Sequence, residues 1–389
     1  MMRENEFIAT TMFGLEEILA GELRELGALD VKVLNRAVSF SGSQAILYKV
    51  NIGSRTAIRV LKNLKSFRVA GDDALYDAIF NMKWEEHFSV KNSFMINSSV
   101  NSPNFRHSHF VSQKSKDAIA DRFRKITNLR PSVNTSDPDI TINIHISSDR
   151  ADVSLDSSGE PLFKRGYRAG QFMAPLNEVL AAGMIMLTGW DGTRPFIDPM
   201  CGSGTLPIEA ALIGKKIPPG VFREKFGFMQ WKDYDNILFN RLMESMLNPV
   251  DLKTEIFASD ISQDAIELSG KNIRKALLEE FIQVKKKDFN DVIPPAGGGM
   301  VIMNPPYGER LKEEEINSFY KGIGDTLKRN FAGYDAWVLS GNPEALKFFG
   351  LRPEKKIELL NGSIKCKFQK FSIYPGSKKY KMTGPLSGI

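Results

Sequence analysis

The part of the sequence that follows residue 175 alternates apolar runs with amphipathic segments. The runs PFID, EIFASD, IQVKKKD, GMVIMN and DAWVLS have the composition of buried strands, and helical segments lie between most of them. Strands linked by helices form parallel sheets through right-handed crossovers. The last two runs, KIELLN and IKCKFQKFSIYP, are separated only by Gly362 and Ser363, which predicts an antiparallel hairpin. We therefore expect an α/β fold with a C-terminal doubly wound sheet and an antiparallel edge hairpin.

The sequence before this region has shorter elements, which predict small α+β domains. We divide the chain into an α+β region over 1–60, a second α+β domain over 61–160, a linker over 161–176 and the doubly wound domain over 177–380 with an insertion at 214–253. Isoleucines alternate with polar residues over 140–146, which predicts a hairpin strand with one buried face. Asp149 and Arg150 are expected to form the turn of that hairpin.

Length and composition limit the class of protein. The chain has 389 residues, enough for two or three domains. Its two cysteines, Cys201 and Cys366, exclude a disulfide framework. His107 and His109 are two residues apart without an adjacent acid or thiol, so no metal is expected. The first ten residues lack the apolar core of a signal peptide and no apolar run approaches the roughly 18 residues of a membrane span, so we expect a cytoplasmic protein.

Polar residues follow three strands of the expected sheet. The turn DPMCGSGT has glycines at 202 and 204, which permit tight turning and let helix amides face an anion, although such turns are also purely structural. Asp260 closes the second strand, where a carboxylate can accept both ribose hydroxyls of a nucleoside. Asp288 can accept from an adenine amine while Phe289 packs on the ring, or it can cap a helix. Together these residues favour a nucleoside-bearing cofactor.

The fourth strand ends in the sequence NPPY. The side-chain oxygen of Asn304 and the carbonyl of Pro305 are two acceptors on a rigid backbone, which suits a planar NH2 group that donates two hydrogen bonds. Pro306 fixes the backbone further, and Tyr307 supplies a ring on which a base can stack. Because no strong base is present, the pattern favours methyl transfer to an amino nitrogen, a reaction that depends on alignment.

These motifs together resemble a known family. DPMCGSGT, ASDIS, KKKDF and NPPYGERL, in this order, resemble the S-adenosylmethionine-dependent methyltransferases that modify exocyclic amines. The series LFKRGYR, APLNEVLAA and DPMCGSGTLPIEAAL is similar to the RNA guanine-N2 methyltransferases with an N-terminal THUMP domain, which include the bacterial 23S rRNA enzyme. The resemblance implies a ferredoxin-like region over 1–60, a THUMP RNA-binding domain over 61–160 and a Rossmann-like methyltransferase domain over 177–380.

The resemblance also implies a cofactor and roles for individual residues. S-adenosylmethionine would be the cofactor, with Asp260 at its ribose and Asp288 and Phe289 at its adenine. Its methionine part would lie against Asn177, Asp198, Cys201, Gly202 and Gly204, and the target base against Asn304, Pro305, Pro306 and Tyr307. Some family members continue into a second methyltransferase domain; this sequence ends at residue 389, so we expect another protein to make any second modification.

The implied substrate is the N2 amine of a guanine in RNA, with 23S rRNA expected. The alternatives are a tRNA guanine, the N6 amine of adenine, a protein glutamine, or a noncatalytic RNA-binding factor in ribosome assembly. NPPY alone does not separate guanine from adenine, because its acceptors serve any planar NH2 group. A base inside a helix must leave its stack to reach Tyr307, so a loop guanine is the easier target.

The positive charge of the chain is concentrated in one segment. The net charge is +6, and nearly all of this excess lies between residues 101 and 130. A basic helix over 113–126 is expected to follow RNA phosphates, although a salt-bridged surface helix would have the same sequence. The residues that we predict to bind RNA are Arg106, Lys114, Lys116, Arg122, Arg124, Lys125, Arg165 and Arg168. For Arg165 and Arg168, which lie in the linker, a role as a packing hinge is an equal alternative.

Overall fold

The computed structural model describes residues 5–105, 107–170, 175–308 and 312–374. In these ranges the strands are β1 Asn5–Thr10, β2 Leu29–Leu34, β3 Ala37–Gly42, β4 Arg59–Arg68, β5 Phe94–Asn101, β6 Ile140–Ser147, β7 Arg150–Asp156, β8 Phe196–Asp198, β9 Ile256–Asp260, β10 Ile282–Lys286, β11 Gly299–Met303, β12 Tyr334–Ser340, β13 Lys355–Asn361 and β14 Ile364–Ser372. The helices are α1 Glu16–Glu25, α2 Gln44–Gly53, α3 Asp72–Phe80, α4 Ser108–Thr127, α5 Glu178–Thr188, α6 Thr205–Gly214, α7 Asn236–Met246, α8 Gln263–Lys275 and α9 Glu313–Asn330.

The chain divides into two compact units that are not contiguous in sequence. The N-terminal unit consists of Met1–Thr11, Leu19–Lys164 and Arg223–Leu247. The C-terminal unit consists of Met12–Ile18, Arg165–Phe222 and Asn248–Ile389. In the parts of the chain that the structure describes, no helix is long and apolar enough to span a membrane.

The N-terminal unit is built on one seven-stranded sheet. Its order is β2-β3-β1-β4-β7-β6-β5, and only β5 and β6 pair in parallel. The expected boundary between two small domains, at residues 60 and 61, falls inside β4. Because β4 pairs with β1 on one side and with β7 on the other, the two expected domains share a continuous sheet.

The hairpin of β6 and β7 agrees with the expected burial but not with the expected turn. The alternating isoleucines of β6 are all buried. Ser147 pairs with Arg150, so the turn consists of Ser148 and Asp149, and Arg150 is the first residue of β7. Ser148 adopts a positive φ of 53°, a conformation that a two-residue hairpin turn requires.

Most of the expected insertion in the methyltransferase domain belongs to the N-terminal unit. Residues 223–247 include α7 and join the core of that unit. The ring of Phe228 lies 4.5 Å from that of Tyr48 on α2 and 5.6 Å from that of Phe239 on α7, measured between centroids. Burial raises the pKa of Tyr48 to about 12, and its hydroxyl accepts from the backbone N–H of Asp235. This aromatic cluster explains why the segment leaves the domain in which its sequence lies.

The C-terminal unit contains the expected doubly wound sheet. Its order is β10-β9-β8-β11-β12-β14-β13, with β8 to β12 parallel and the last two strands forming an antiparallel hairpin. Both predictions are confirmed. β11 is buried along its whole length, as expected for a central strand covered on both faces. The strand order reverses at β8, which is the position where such sheets bind ligands.

We expect Phe228→Ala to lower the free energy of unfolding of the N-terminal unit by about 3–5 kcal/mol, because it empties a buried aromatic site. Ile237 on α7 is 75% exposed, so Ile237→Ala is the matched control and should change this free energy by less than about 0.5 kcal/mol. Urea denaturation, combined with the rate of proteolysis within 223–247, measures the effect. Equal stability of the two variants would contradict the packing of Phe228 against Tyr48 and Phe239.

Candidate functional site

A large cavity opens where the carboxyl ends of the parallel strands of the C-terminal unit meet. Its volume is about 1250 Å³, and residues that follow β8, β9, β10 and β11 contribute to its wall. Most of the predicted cofactor and target-base residues line it, namely Asp198, Cys201, Gly202, Asp260, Asp288, Phe289, Asn304, Pro305, Pro306 and Tyr307. Parallel pairing places these strand ends at one edge of the sheet, although the residues are far apart in sequence.

The glycine turn between β8 and α6 has the geometry that the sequence predicts. Gly202 and Gly204 have φ values of 52° and 81°, which side-chain-bearing residues rarely adopt. Gly204 lies directly before α6, and a Cβ there would be 2.4 Å from the hydroxyl oxygen of Ser269 on α8. The turn therefore requires glycine at residue 204 for two separate reasons, its backbone angle and its close approach to α8.

Asp260 holds this turn against the end of β9. One carboxylate oxygen accepts from the N–H of Gly202 at 2.9 Å, and the other accepts from the N–H of Ser262 at 2.9 Å. The N–H of Cys201 donates to the carbonyl of Ser259 at 2.9 Å. Each oxygen of Asp260 retains a lone pair for a further donor. The carboxylate therefore braces the turn and can still accept hydrogen bonds from a ligand.

Two other polar groups of the turn are buried. Asp198 is 1% exposed, and this burial, with a smaller contribution from the charge of Asp260, raises its pKa to about 8. A cationic group beside Asp198 would lower this pKa by favouring the carboxylate. Burial also raises the pKa of the Cys201 thiol well above its usual value, which keeps the thiol protonated and unsuited to act as a nucleophile.

The third strand end has the capping role that the sequence allows for Asp288, and it also lies on the cavity wall. Asp288 lines the cavity, and one of its oxygens caps the short 3₁₀ turn Phe289–Asp291 by accepting from the N–H of Asn290 at 2.8 Å. The ring of Phe289 also reaches the cavity wall, but its centroid lies 5.6 Å from that of Phe331 within the core. Phe289 is therefore a fixed part of the wall.

Asn304 and Tyr307 are joined by a hydrogen bond. The hydroxyl of Tyr307 donates to the side-chain oxygen of Asn304 at 2.7 Å. The same hydroxyl oxygen accepts from the side-chain amide of Asn361 at 3.2 Å, and the sulfur of Cys366 lies 3.6 Å from it. Burial raises the pKa of Tyr307 far above its usual value, so the phenol stays protonated and remains a donor to Asn304.

The backbone of this segment is also fixed by neighbouring side chains. The carbonyl of Tyr307 accepts from the amide of Asn342 at 3.0 Å, and that of Pro306 accepts from the hydroxyl of Tyr320 at 3.3 Å. Burial raises the pKa of Tyr320 to about 12. The carbonyl of Pro305 and the second lone pair of the Asn304 oxygen therefore form a rigid pair of acceptors, which we call the amine clamp.

Asn177 and Arg165, two of the predicted site residues, bond to neighbouring groups within the protein. The Asn177 side-chain oxygen caps α5 by accepting from the N–H groups of Val179 and Leu180. Its NH2 group is not used by this cap, so the predicted cofactor contact of Asn177 stays a prediction. Arg165 is 2% exposed and pairs with Glu209, with 3.4 Å between Nε and Oε1. It cannot bind RNA from this position, because a buried charge requires a partner inside the protein.

Arg168 forms an ion pair and hydrogen bonds with groups near the glycine turn. Its guanidinium pairs with Glu178 and donates to the carbonyl of Leu176 at 2.8 Å and the hydroxyl of Ser203 at 3.3 Å. Of the side chain, 26% is exposed. These contacts agree with the packing role that the sequence leaves open for Arg168, and RNA binding by this residue stays a prediction. We interpret it as a residue that positions the turn relative to the start of α5.

The basic residues of α4 form ion pairs on the N-terminal unit. Lys114 pairs with Asp73, Lys116 with Asp117, Arg122 with Glu85 and Arg124 with Asp121, and the ammonium of Lys125 lies 5.4 Å from the ring centroid of Phe80. These ion pairs agree with the alternative interpretation of the basic segment, a salt-bridged surface helix. Exposed ion pairs are weak and phosphates can compete for them, so RNA binding by α4 stays a prediction. Arg106 lies outside the described residues.

The cavity also has wall residues that sequence reasoning missed. Ile261 is 67% exposed although it is apolar, and it follows Asp260 directly. An apolar residue after a strand end, with no core to enter, is a signal that could have identified it. Phe319 on α9 and the hairpin residues Asn361 and Ile364 carry no such signal, because only the folded sheet brings them to the cavity. Among the described residues, no group of three or more His, Cys, Asp or Glu side chains is arranged to hold a metal ion.

Family models match three consecutive regions of the chain. The model described as RlmL ferredoxin-like domain matches residues 6–61, and the THUMP domain model matches residues 69–156. The model described as RMKL-like, methyltransferase domain matches residues 165–370, which is more than half of the chain. The last region contains every residue that lines the cavity.

Two curated relatives are similar along nearly the whole chain. The putative RNA methyltransferase slr0064 of Synechocystis sp. is 38% identical over 371 residues, which cover 95% of this chain and 97% of that protein. The ribosomal RNA large subunit methyltransferase K/L of Methylococcus capsulatus is 39% identical over 398 residues, which cover 100% of this chain and 53% of that protein. The chain therefore spans about half the length of the K/L relative.

Solved structures share the architecture of the whole chain. SMU.472, a putative methyltransferase complexed with SAH, is 30% identical with a TM-score of 0.87, covering 97% of this chain and 100% of that one. A predicted N6-adenine-specific DNA methylase from Listeria monocytogenes is 30% identical with a TM-score of 0.84, covering 97% of both chains. The name of the second protein specifies adenine in DNA, whereas that of the first specifies no substrate.

We expect Gly204→Ala to lower the free energy of unfolding by about 2–4 kcal/mol, because it adds a backbone penalty and a clash with Ser269. Gly189→Ala is the matched control. Its φ is 74°, but a Cβ there would meet no atom within 4 Å, so only the backbone penalty of about 1–2 kcal/mol applies. Calorimetric unfolding of both variants and of Gly204→Ala combined with Ser269→Ala measures the two contributions. If removing the Ser269 hydroxyl restored no stability, the close approach would be refuted.

Proposed function

Because this chain belongs to the RMKL-like methyltransferase family, we propose that it transfers a methyl group from S-adenosylmethionine to the exocyclic N2 amine of a guanine in large-subunit ribosomal RNA. The amine clamp carries this proposal, since two fixed acceptors beside a cavity suit a planar NH2 group. The neighbour complexed with SAH supports the cofactor, and the name of the K/L relative supports the RNA.

The residues of the cavity fit S-adenosylmethionine. Asp260 has free lone pairs for ribose hydroxyls, and Asp288 lies at the next strand end, where it can accept from the adenine amine. Exposed Ile261, which lines the same cavity, offers an apolar surface for the adenine ring. Buried Asp198 and the glycine turn would hold the methionine part, whose sulfonium and ammonium charges suit a carboxylate. When bound, the cofactor supplies an electrophilic methyl group.

The amine clamp can orient the acceptor nitrogen. The oxygens of Asn304 and Pro305 would each accept one N–H of the target amine, which directs its lone pair away from the base and across the cavity. The same acceptors stabilise the positive charge that develops on the nitrogen during transfer. Tyr307 and Phe319 would enclose the base and exclude water. The surplus proton can leave to solvent after transfer, because no strong base is required for its removal.

The size of the cavity supports entry of a whole base. At about 1250 Å³ it exceeds the roughly 300–1000 Å³ that is usual for a single small ligand, so a cofactor and an extruded base can occupy it together. The matched THUMP region supports an RNA substrate for the N-terminal unit. We therefore favour a base in an RNA loop, where the cost of unstacking is lowest.

The N6 amine of adenine is the second candidate. It is a planar NH2 group that the amine clamp could hold equally well, and the Listeria monocytogenes protein is named for adenine. The relatives named for RNA are the more similar ones, at 38% and 39% identity against 30%. We therefore place guanine first.

We expect 23S rRNA from a strain that lacks the gene to have lost one N2-methylguanosine, as measured by nucleoside mass spectrometry. The wild-type gene should restore it. Asn304→Ala should not, because losing one acceptor of the amine clamp is expected to slow transfer about 10²–10³-fold while S-adenosylmethionine still binds. Unchanged N2-methylguanosine at every position, or loss of N6-methyladenosine in its place, would refute the proposed substrate.

We expect the affinity for S-adenosylmethionine to rise with pH up to about 8 and then to level off. Below that pH the carboxyl of Asp198 is protonated in the free protein, and a cationic ligand favours its ionised form, so binding releases a proton. Titration calorimetry between pH 6 and 9 measures this dependence. Asp198→Asn should bind S-adenosylmethionine more weakly. Because this variant lacks the Asp198 carboxyl, any pH dependence of its affinity comes from other groups, including the amino group of the ligand, and serves as the correction. Parallel pH curves for the two proteins would exclude this role.

A further inference from the structure

The antiparallel hairpin of β13 and β14 reaches the target-base side of the cavity. Asn361 ends β13 and Ile364 begins β14, and both line the wall beside the amine clamp. The hairpin is fixed in place by β14, which pairs with β12 over six residues. Asn361 is therefore held on a rigid edge of the sheet, although 54 residues of sequence separate it from Tyr307.

The hydrogen bonds around Tyr307 orient the Asn361 side chain. Its NH2 group donates to the Tyr307 hydroxyl oxygen at 3.2 Å, and the single hydroxyl proton is donated onward to Asn304 at 2.7 Å. Asn361 and Asn304 are thus neighbours, because both bind the same hydroxyl. The side-chain oxygen of Asn361 accepts no hydrogen bond from the residues that the structure describes, and it remains the second polar atom of a side chain on the cavity wall.

The free oxygen matters because bases differ in what lies beside their exocyclic amine. In guanine the N2 amine is next to the ring N1–H, which is a donor. In adenine and cytosine the ring nitrogen next to the amine is an acceptor. A protein acceptor beside the amine clamp can therefore accept a hydrogen bond from guanine. With adenine or cytosine the same acceptor would face a lone pair, and leaving it without a donor costs binding energy.

We propose that Asn361 selects guanine by accepting a hydrogen bond from its ring N1–H while Asn304 and Pro305 hold the N2 amine. The proposal rests on the proposed function. The NPPY motif alone does not distinguish the guanine amine from other planar amines, and the proposal assigns this distinction to Asn361. A site built to bind a ring N–H rejects an analogue that lacks it, because its acceptor is left without a partner.

The test compares two forms of one RNA hairpin built around the nucleotide that is identified in the deletion strain. One form contains guanine at that position, and the other contains 2-aminopurine, which keeps the N2 amine but has no N1–H. We expect Asn361→Ala to lower the ratio of kcat/KM for guanine to that for 2-aminopurine by about tenfold, the size of one well-placed hydrogen bond. The difference in intrinsic reactivity of the two bases cancels between wild type and variant.

Two further variants separate reading of the base from positioning of Tyr307. Asn361→Asp keeps a side-chain oxygen and loses the NH2 group that donates to Tyr307, so it should retain most of the preference for guanine. Cys366→Ser changes the other group near the Tyr307 hydroxyl without altering the cavity wall, and it should keep the wild-type ratio. Each variant's overall rate reports any loss of Tyr307 positioning separately from the ratio.

A wild-type ratio in Asn361→Ala would overturn the proposal while leaving the proposed function intact. An equal loss of the ratio in Asn361→Asp or in Cys366→Ser would also overturn it, because the effect would then come from displacement of Tyr307. If the wild-type protein failed to methylate the N2 amine of guanine in the RNA hairpin, that different result would refute the proposed function itself.

Discussion

Parallel pairing of β8 with β9 on one side and β11 on the other is the constraint on which the site depends. It brings the residues after three strands to one edge of the sheet, where the N–H of Gly202 donates to Asp260 at 2.9 Å across neighbouring strand ends. The glycine turn, the side chains of Asp198, Asp260 and Asp288, and the amine clamp then line one cavity. No single motif forms this site, because each contributes only one part of the wall.

Rigidity at the amine clamp comes from groups outside the NPPY motif. Asn342, Tyr320 and Asn361 each hydrogen-bond to a group within 306–307, and they come from different segments of the C-terminal unit. The turn on the other side of the cavity is braced in a similar way by Arg168. Alignment is the main contribution that such a site makes to methyl transfer, so these supporting contacts bear directly on the proposed chemistry.

The sequence predicted the positions of polar groups that follow directly from strand ends, and it was less decisive about long charged side chains. A strand followed by Asp260, or by Asn304 and Pro305, places those groups at a strand end whatever the rest of the fold does. For Arg165 and Arg168 the sequence left RNA binding and packing equally open, and in the structure both charges are paired inside the C-terminal unit. A long flexible side chain can reach partners several residues away, so its position in the sequence does not determine what it contacts.

The sequence by itself determined the doubly wound sheet, its edge hairpin, the glycine turn and the order of polar residues at the strand ends, because strand periodicity and backbone freedom are local properties. Only the tertiary structure decided that residues 223–247 join the N-terminal unit and that β4 connects two expected domains. It also decided that Asn361 stands beside Tyr307. These contacts depend on packing and strand pairing between segments distant in the chain, and no local pattern encodes which distant surfaces bury each other most favourably.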